Sequence, residues 1–252
     1  MVDEDDLKLW KDAGHVARRT LENIKDEIKP GVSWHDVIEK AERYIIRHGG
    51  KPAFPATIAV DDIAAHFTTD HNLTPLEGWE DNMVFQKGQL VKLDVGVQIH
   101  GRIGDNALSI EVGNGSKHTE QIRASKESRD SAIEQMHPGT PWHKIGAAAE
   151  QPLIDAGFNS IRNLCGHKLE VGELHAGVSV PSYRCGQDHI GFQGVVESNS
   201  FYAVEPFNTT GKSGLIENVQ PSNSSNIYRV TGNLDIRKAL AKKKLKPLGA
   251  QL

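Results

Sequence analysis

The sequence predicts an α+β fold assembled from two copies of one unit, each a helix pair followed by antiparallel β structure. Three observations predict it. Pro30-Gly31-Val32-Ser33-Trp34-His35 and Pro138-Gly139-Thr140-Pro141-Trp142-His143 share four of six residues at an offset of 108. Gly88 to Asp94 and Asn199 to Glu205 each read as a turn followed by a β run ending in a carboxylate, at an offset of 111. His66 and His175 lie between these landmarks at an offset of 109. Collinear offsets that drift by only three residues mark an internal duplication. The half-repeats fall at about 6–112 and 117–225 of a single domain spanning 1–252. Packed about a pseudo-two-fold axis, two such halves bring equivalent residues together in a central cleft.

From Leu7 to Ile28 apolar residues recur at helical spacing (Leu7, Trp10, Ala13, Val16, Ala17, Leu21, Ile24), and Lys29-Pro30-Gly31 ends the run. A second helix begins at Ser33, whose hydroxyl is expected to cap the first turn with Asp36 at the capping-box position. It runs to Gly49-Gly50, with Ala41, Ile45 and Ile46 expected to face inward. Leu90 to Ile99, a His100-Gly101 turn and Arg102 to Val112 read as a β-hairpin. Lys117 to Met136 and then Trp142 to Ala156, stopped by Gly157, are predicted to be the second helix pair.

Composition narrows the class. A 252-residue chain with 38% hydrophobic and 25% charged residues and a formal net charge of −4 is that of an ordinary globular protein, not of a collagen, coiled coil or disordered segment. No apolar run approaches the length of a membrane span, and the acidic start, Met1 to Asp6, is unlike a signal peptide, so a cytoplasmic location is expected. Cys165 and Cys185 are too few for a disulfide framework and are expected to be free thiols. The near-neutral charge gives no broad attraction to nucleic acid. A basic stretch from Arg237 to Lys246 reads as either a solvated helix face or an RNA or ribosome contact.

The chemistry lies in residues that break the apolar pattern. If the hairpin turn centres on His100-Gly101, Asp94 faces Ala107 and Asp105 is its diagonal neighbour on the same face. Two carboxylates in reach of each other within apolar strands repel unless a cation lies between them, whereas at strand ends in solvent they would need none. His167, in Asn163-Leu164-Cys165-Gly166-His167-Lys168, and Glu205, in an apolar run before Pro206, have plain readings when taken singly: a core histidine and a carboxylate paired with a lysine. Together the four supply an oxygen-rich set with one imidazole, suited to Mn, Fe, Co or Zn as divalent ions and leaving room for water. His66 and His175 would face the same cleft as donors to a substrate oxygen. Gly211-Lys212-Ser213 imitates the end of a phosphate-binding loop, but the loop's first glycine falls at Pro206. Gly-x-Ser-x-Gly, His-Glu-x-x-His and Cys-x-x-Cys patterns are absent from the sequence, which leaves hydrolysis by activated water.

These residues resemble the methionine aminopeptidases of the pita-bread fold, type 2, the archaeal and eukaryotic branch. The blocks that carry the likeness follow in order over about residues 6–230: Gly50-Lys51-Pro52-Ala53-Phe54-Pro55, Ala64-Ala65-His66, Lys92-Leu93-Asp94-Val95-Gly96, Gly101 to Ala107, Asn163 to Lys168, Leu174-His175-Ala176-Gly177 and Ala203-Val204-Glu205-Pro206-Phe207. The resemblance implies two divalent metal ions, held by Asp94, Asp105, His167 and Glu205, with Asp105 bridging both and Glu205 also serving as general base. It implies that His175 stabilises the tetrahedral intermediate, that His66 binds the substrate amide, and that Phe54, Leu174 and Phe207 line a methionine pocket. The implied activity is removal of initiator methionine from nascent chains with a small second residue, by a monomer acting on nascent polypeptide N-termini, with ribosome association as a further expectation and no membrane partner. Two other readings share the fold: a non-catalytic ribosome- or RNA-associated protein, and an Xaa-Pro peptidase. One departure concerns a further glutamate ligand, which the family carries on a strand beyond a helical insertion. The sequence is expected to stop inside that insertion, at about 226–252, without the closing strands. The repeat nominates Glu217, 112 residues after Asp105, as a stand-in, although family members carry an acidic residue near there and still use the later glutamate.

Overall fold

Leu90–Ile99 (β2) and Arg102–Glu111 (β3) form the hairpin around which the first half is built in the computed structural model, which describes residues 3–69, 83–113, 115–216 and 227. Their two-residue connection places His100 (φ +48°) and Gly101 (φ +79°) in left-handed backbone, as a type I′ turn requires. That turn fixes the register. Asp94 faces Ala107 and Gly96 faces Asp105, so both carboxylates share one face of the sheet, as the sequence predicts. Lys51–Val60 (β1) pairs antiparallel with the other edge of β2, placing Phe54 opposite Gly96 and Thr57 opposite Asp94.

The opposite face of β2 carries Val91, Leu93, Val95 and Val97, all fully buried. Two helices cover it, Glu4–Ile24 (α1) and Trp34–Arg47 (α2), through Ala17, Leu21, Ile24, Val37, Ile38, Ala41 and Ile45. Each such fully buried aliphatic side chain stabilises by ~1.5–3 kcal/mol. Ile46, expected inside, is instead 60% exposed, because one helical step past Ile45 turns it away from the sheet. Where α1 crosses β3, a Cβ on Gly104 would sit 2.5 Å from the Gly14 nitrogen and 2.6 Å from the Ala13 carbonyl carbon. Backbone cannot yield as a side chain can. Gly104→Ala is therefore expected to destabilise the protein by ~2 kcal/mol or more in urea denaturation. A change under ~0.5 kcal/mol would show that α1 rides freely on the sheet.

The second half repeats the plan with a smaller sheet. Thr119–Gln135 (α3) and Trp142–Asp155 (α4) pack together, and Asn159–Ser160 (β4), Gly166–Leu169 (β5), Ser179–Val180 (β6), Phe201–Ala203 (β7) and Asn208–Thr209 (β8) follow. β5 lies between β6 and β7 in one antiparallel sheet, and β4 pairs with β8. The entry to α2 and the entry to α4 share their hydrogen bonds. Gly31 N–H donates to Phe85 C=O (2.8 Å) and Phe85 N–H to Val32 C=O (2.9 Å), while Gly139 N–H donates to Val196 C=O (2.8 Å) and Val196 N–H to Thr140 C=O (2.9 Å). Trp34 and Trp142 are buried just beyond. This arrangement corrects the expected capping box: the Ser33 hydroxyl makes no cap bond, and Ser33 is held by its backbone in an antiparallel bridge with Val84 while the Trp34 N–H goes to the Met83 carbonyl at 2.9 Å. A distant backbone segment thus fixes the helix entry and satisfies one of its free N–H groups, though not one that the Ser33 hydroxyl would have capped. The exits match too, with Gly49 (φ +83°) and Gly157 (φ +81°) ending α2 and α4 in left-handed backbone.

Among the described residues no helix is long and apolar enough to cross a membrane. Glu217 and, apart from Ile227, the 226–252 stretch lie outside the described residues.

Candidate metal centre

Asp94 and Asp105 reach the cleft from neighbouring strands of the first half, and His167 and Glu205 meet them from the second. His167 is the second residue of β5, opposite Ala203 of β7. The close approach of these strands depends on Gly166, where a Cβ would lie 2.2 Å from the Ala203 carbonyl oxygen. Glu205 stands two residues past the end of β7 and not within a strand as expected. Pro206 supplies no N–H for a ladder and biases the residue before it to extended backbone.

His167 Nε2 lies 3.0 Å from Glu205 Oε1 and 3.3 Å from Asp105 Oδ2. One ligand atom from each of Asp105, His167 and Glu205 falls within 4.8 Å of the others. Asp94 lies outside that tight group but hydrogen bonds to Asp105. One imidazole N–H cannot align with two carboxylates, and Glu205 Oε1 is left buried without an aligned donor, as is Asp94 Oδ1. Burial and then the Asp105 and Glu205 charges push the Asp94 carboxyl well above the usual range. Burial also raises Glu205, against the hydrogen bond from His167. Burial lowers the His167 imidazole, but its bonds to Asp105 and Glu205 and their charges outweigh that and push it up to about 10. Two carboxylates in a desolvated site, Asp105 and Glu205, thus draw a proton onto the imidazole. The donor set, three carboxylates and one imidazole with orphaned oxygens aimed at common space, fits a divalent cation.

The remaining candidates are His175, His66, Phe54, Leu174 and Phe207. The His175 ring lies edge-on to His167 with centroids 4.4 Å apart. Its pKa is lowered, first by burial and then by the His167 charge, so the ring stays neutral near pH 7 and keeps one N–H to donate. His66 holds left-handed backbone at φ +59°, unusual for a residue other than glycine. The chain just past it is fixed to β1, with Phe67 C=O accepting from Ile58 N–H (2.8 Å) and Thr68 Oγ1 donating to Ala56 C=O (2.8 Å). The Phe54 ring lies over Gly96, where a Cβ would come within 2.3 Å of it, and Gly96 in turn faces Asp105. Phe54 is thereby brought to the edge of the carboxylates. Leu174 packs against the cluster of Trp10, Ile103 and Leu169, in the apolar contact between the halves where Trp10 stacks on Phe201 at 4.0 Å. Phe207, half-buried, follows Glu205 by two residues, its carbonyl accepting from Ile161 N–H at 2.9 Å. A cavity of about 540 Å³ meets Asp105 between β3 and β7, with Asn106, Tyr202 and Val204 among its lining. Sequence reasoning missed Gly96 and Gly166 as parts of the site. Their signal was a glycine inside a strand pattern, which marks close approach.

The sequence profile of metallopeptidase family M24 matches residues 8–232. A methionine aminopeptidase of Thermococcus kodakarensis is 39% identical over 81% of this chain and 65% of its own length. The chain thus spans just under two thirds of that relative. Among solved structures, a methionine aminopeptidase from Thermotoga maritima superposes with a TM-score of 0.72 at 24% identity, over 84% of this chain and 83% of that one. A thermophilic Arx1 superposes with a TM-score of 0.77 at 16% identity, over 100% of this chain and 75% of that one. At these identities the two structures establish the fold, which is the pita-bread fold.

Proposed function

Since the chain belongs to metallopeptidase family M24, we propose that it is a metal-dependent aminopeptidase that removes N-terminal methionine from polypeptides whose second residue is small. The observation that carries this reading is the convergence of Asp94, Asp105, His167 and Glu205 from both halves on one desolvated site, with carboxylate oxygens left without donors. In this reading these four residues hold two divalent ions, of Co, Mn, Fe or Zn. Such ions supply Lewis acidity, acidifying a water and polarising the scissile carbonyl.

The chain's own groups do the rest. Glu205 is the base that takes a proton from the attacking water and passes it to the leaving amine, a role suited to a carboxyl whose pKa burial has raised. Neutral His175 donates its N–H to the oxygen that gains charge in the tetrahedral intermediate. His66, at the facing wall, donates to the substrate amide. Phe54, Leu174 and Phe207 offer an apolar slot for an unbranched thioether side chain. A monomer in the cytoplasm, acting on nascent N-termini and meeting them at the ribosome, completes the proposal.

Hydrolysis of a Met-Ala-Ser peptide by the protein, with Mn²⁺ or Co²⁺ added and then chelated, tests it. Release of methionine that stops on chelation and returns with metal is the expected result. Cleavage of an Xaa-Pro peptide with Met-Ala-Ser left intact would replace this reading with the prolyl one. Metal binding without hydrolysis of either peptide would overturn the enzymatic reading.

A further inference from the structure

Besides the Trp10–Phe201 contact and the carboxylate cluster, the two halves meet at the tips of two hairpins. The first tip is the His100-Gly101 turn between β2 and β3. The second follows β5: Glu170 and Glu173 exchange N–H to C=O bonds of 3.0 Å each way around Val171-Gly172, and Ala176 N–H then donates to Lys168 C=O at 2.9 Å. Leu174 and His175 sit on the returning limb of this second hairpin. Gly172 N–H donates to Gly101 C=O at 2.8 Å. Among the described residues this is the one backbone hydrogen bond between 6–112 and 117–216. Steric fit at the contact is tight, since a Cβ on Gly101 would lie 3.0 Å from Val171 Cγ1 and 3.3 Å from the Gly172 nitrogen. The first tip is itself braced. Gln98 Oε1 accepts from Gly101 N–H at 3.1 Å, and Arg102 donates to both the His100 carbonyl and Asp6 of α1, at 2.6 Å each.

We propose that this tip-to-tip contact is a latch, with Gly101 a positioning residue that sets the height of the 170–175 limb and so holds His175 over the carboxylate cluster. The reason is geometric. β2 and β3 carry Asp94 and Asp105 rigidly, whereas the limb bearing His175 is a short return whose tip rests on Gly101. A displacement at the tip passes directly to a donor that must meet one oxygen, and misplacement by ~1 Å costs up to ~100-fold in rate. As a statement about catalysis the proposal rests on the aminopeptidase reading. The latch itself is a statement about structure.

The test uses Gly101→Ala, Val171→Ala and the double variant. Gly101→Ala places a methyl group 3.0 Å from Val171 Cγ1 and 3.3 Å from the Gly172 nitrogen, so that the second tip must give by a few tenths of an ångström. It is expected to lower kcat on Met-Ala-Ser by ~3–10-fold with a smaller change in KM, to speed hydrogen exchange at the Gly172 amide, and to shift the His175 ring resonances of ¹⁵N-histidine-labelled protein. Val171→Ala alone is expected to leave all three near wild type. In the double variant the main clash is gone while the strain of alanine at φ +79° remains, so recovery of kcat and of the His175 resonances identifies the latch. Loss in Gly101→Ala that Val171→Ala does not restore would assign the effect to the turn alone and overturn the proposal, as would unchanged His175 resonances and Gly172 exchange in Gly101→Ala. Should the wild-type protein cleave no peptide, the aminopeptidase reading fails and the exchange and resonance measurements still decide the latch.

Discussion

Asp105→Asn is expected to lower kcat/KM on Met-Ala-Ser by ~10³-fold or more, the largest single-residue effect in the molecule. Asparagine keeps the shape of the side chain and removes its charge, so the change isolates electrostatics from packing. Asp105 bridges the donor set, 3.3 Å from His167 Nε2 on one side and beside Asp94 on the other. A cation held there loses one of three negative neighbours, and ~4 kcal/mol of lost charge stabilisation corresponds to ~10³ in rate. Folding is expected to move the other way. The Asp105 charge helps push the buried Asp94 and Glu205 carboxyls up, a sign of repulsion that the metal-free protein carries. Neutralising it relieves that repulsion, at the loss of one His167 contact. The metal-free variant should therefore melt no lower than metal-free wild type. Activity within ~10-fold of wild type would remove Asp105 from the metal centre, and a large fall in melting temperature would show that the variant reports unfolding.

Much of this was legible in the sequence because it is local. The His100-Gly101 turn fixes the register of β2 and β3, and register fixes which face each aspartate takes. Asp94 and Asp105 stand out because they interrupt an apolar pattern. The residues that were misread depend on distant partners. Ser33 has the chemistry of a cap, but backbone pairing with Met83 and Val84, about fifty positions along the chain, is what fixes the helix entry. Ile46 satisfies an apolar spacing as well as Ile45 does, and only the position of the sheet decides which is buried. The latch could not be read at all, since nothing in His100-Gly101 or Val171-Gly172 as turn sequences says that the two turns touch. Gly96 was visible as an oddity within a strand, yet its meaning required knowing that Phe54 lies opposite.

Raising pH is expected to weaken the metal-free protein and strengthen its hold on metal at the same time, a divergence that a single labile site should produce. In the metal-free fold His167 has its pKa raised from 6.5 to about 10. A group raised on folding stabilises the fold fully below its unfolded value and loses that contribution as pH climbs through the folded one. Metal-free protein should therefore lose stability between pH about 6.5 and about 10. Asp94 and Glu205, also raised, lose theirs at the lower end of the scale and in the same direction. Metal must displace the His167 proton to use Nε2, so apparent affinity should gain up to ~10-fold per pH unit across that window while one proton is released. The gap between metal-loaded and metal-free melting temperatures should thus widen steadily with pH, since stabilisation by a ligand grows with its affinity at fixed concentration. Calorimetric titration with Mn²⁺ in buffers of different ionisation enthalpy counts the proton directly. Neither proton release nor a widening gap would mean that His167 is already neutral before metal arrives, and the pull of Glu205 and Asp105 on its imidazole would then have to be weaker than their 3.0 and 3.3 Å contacts dictate.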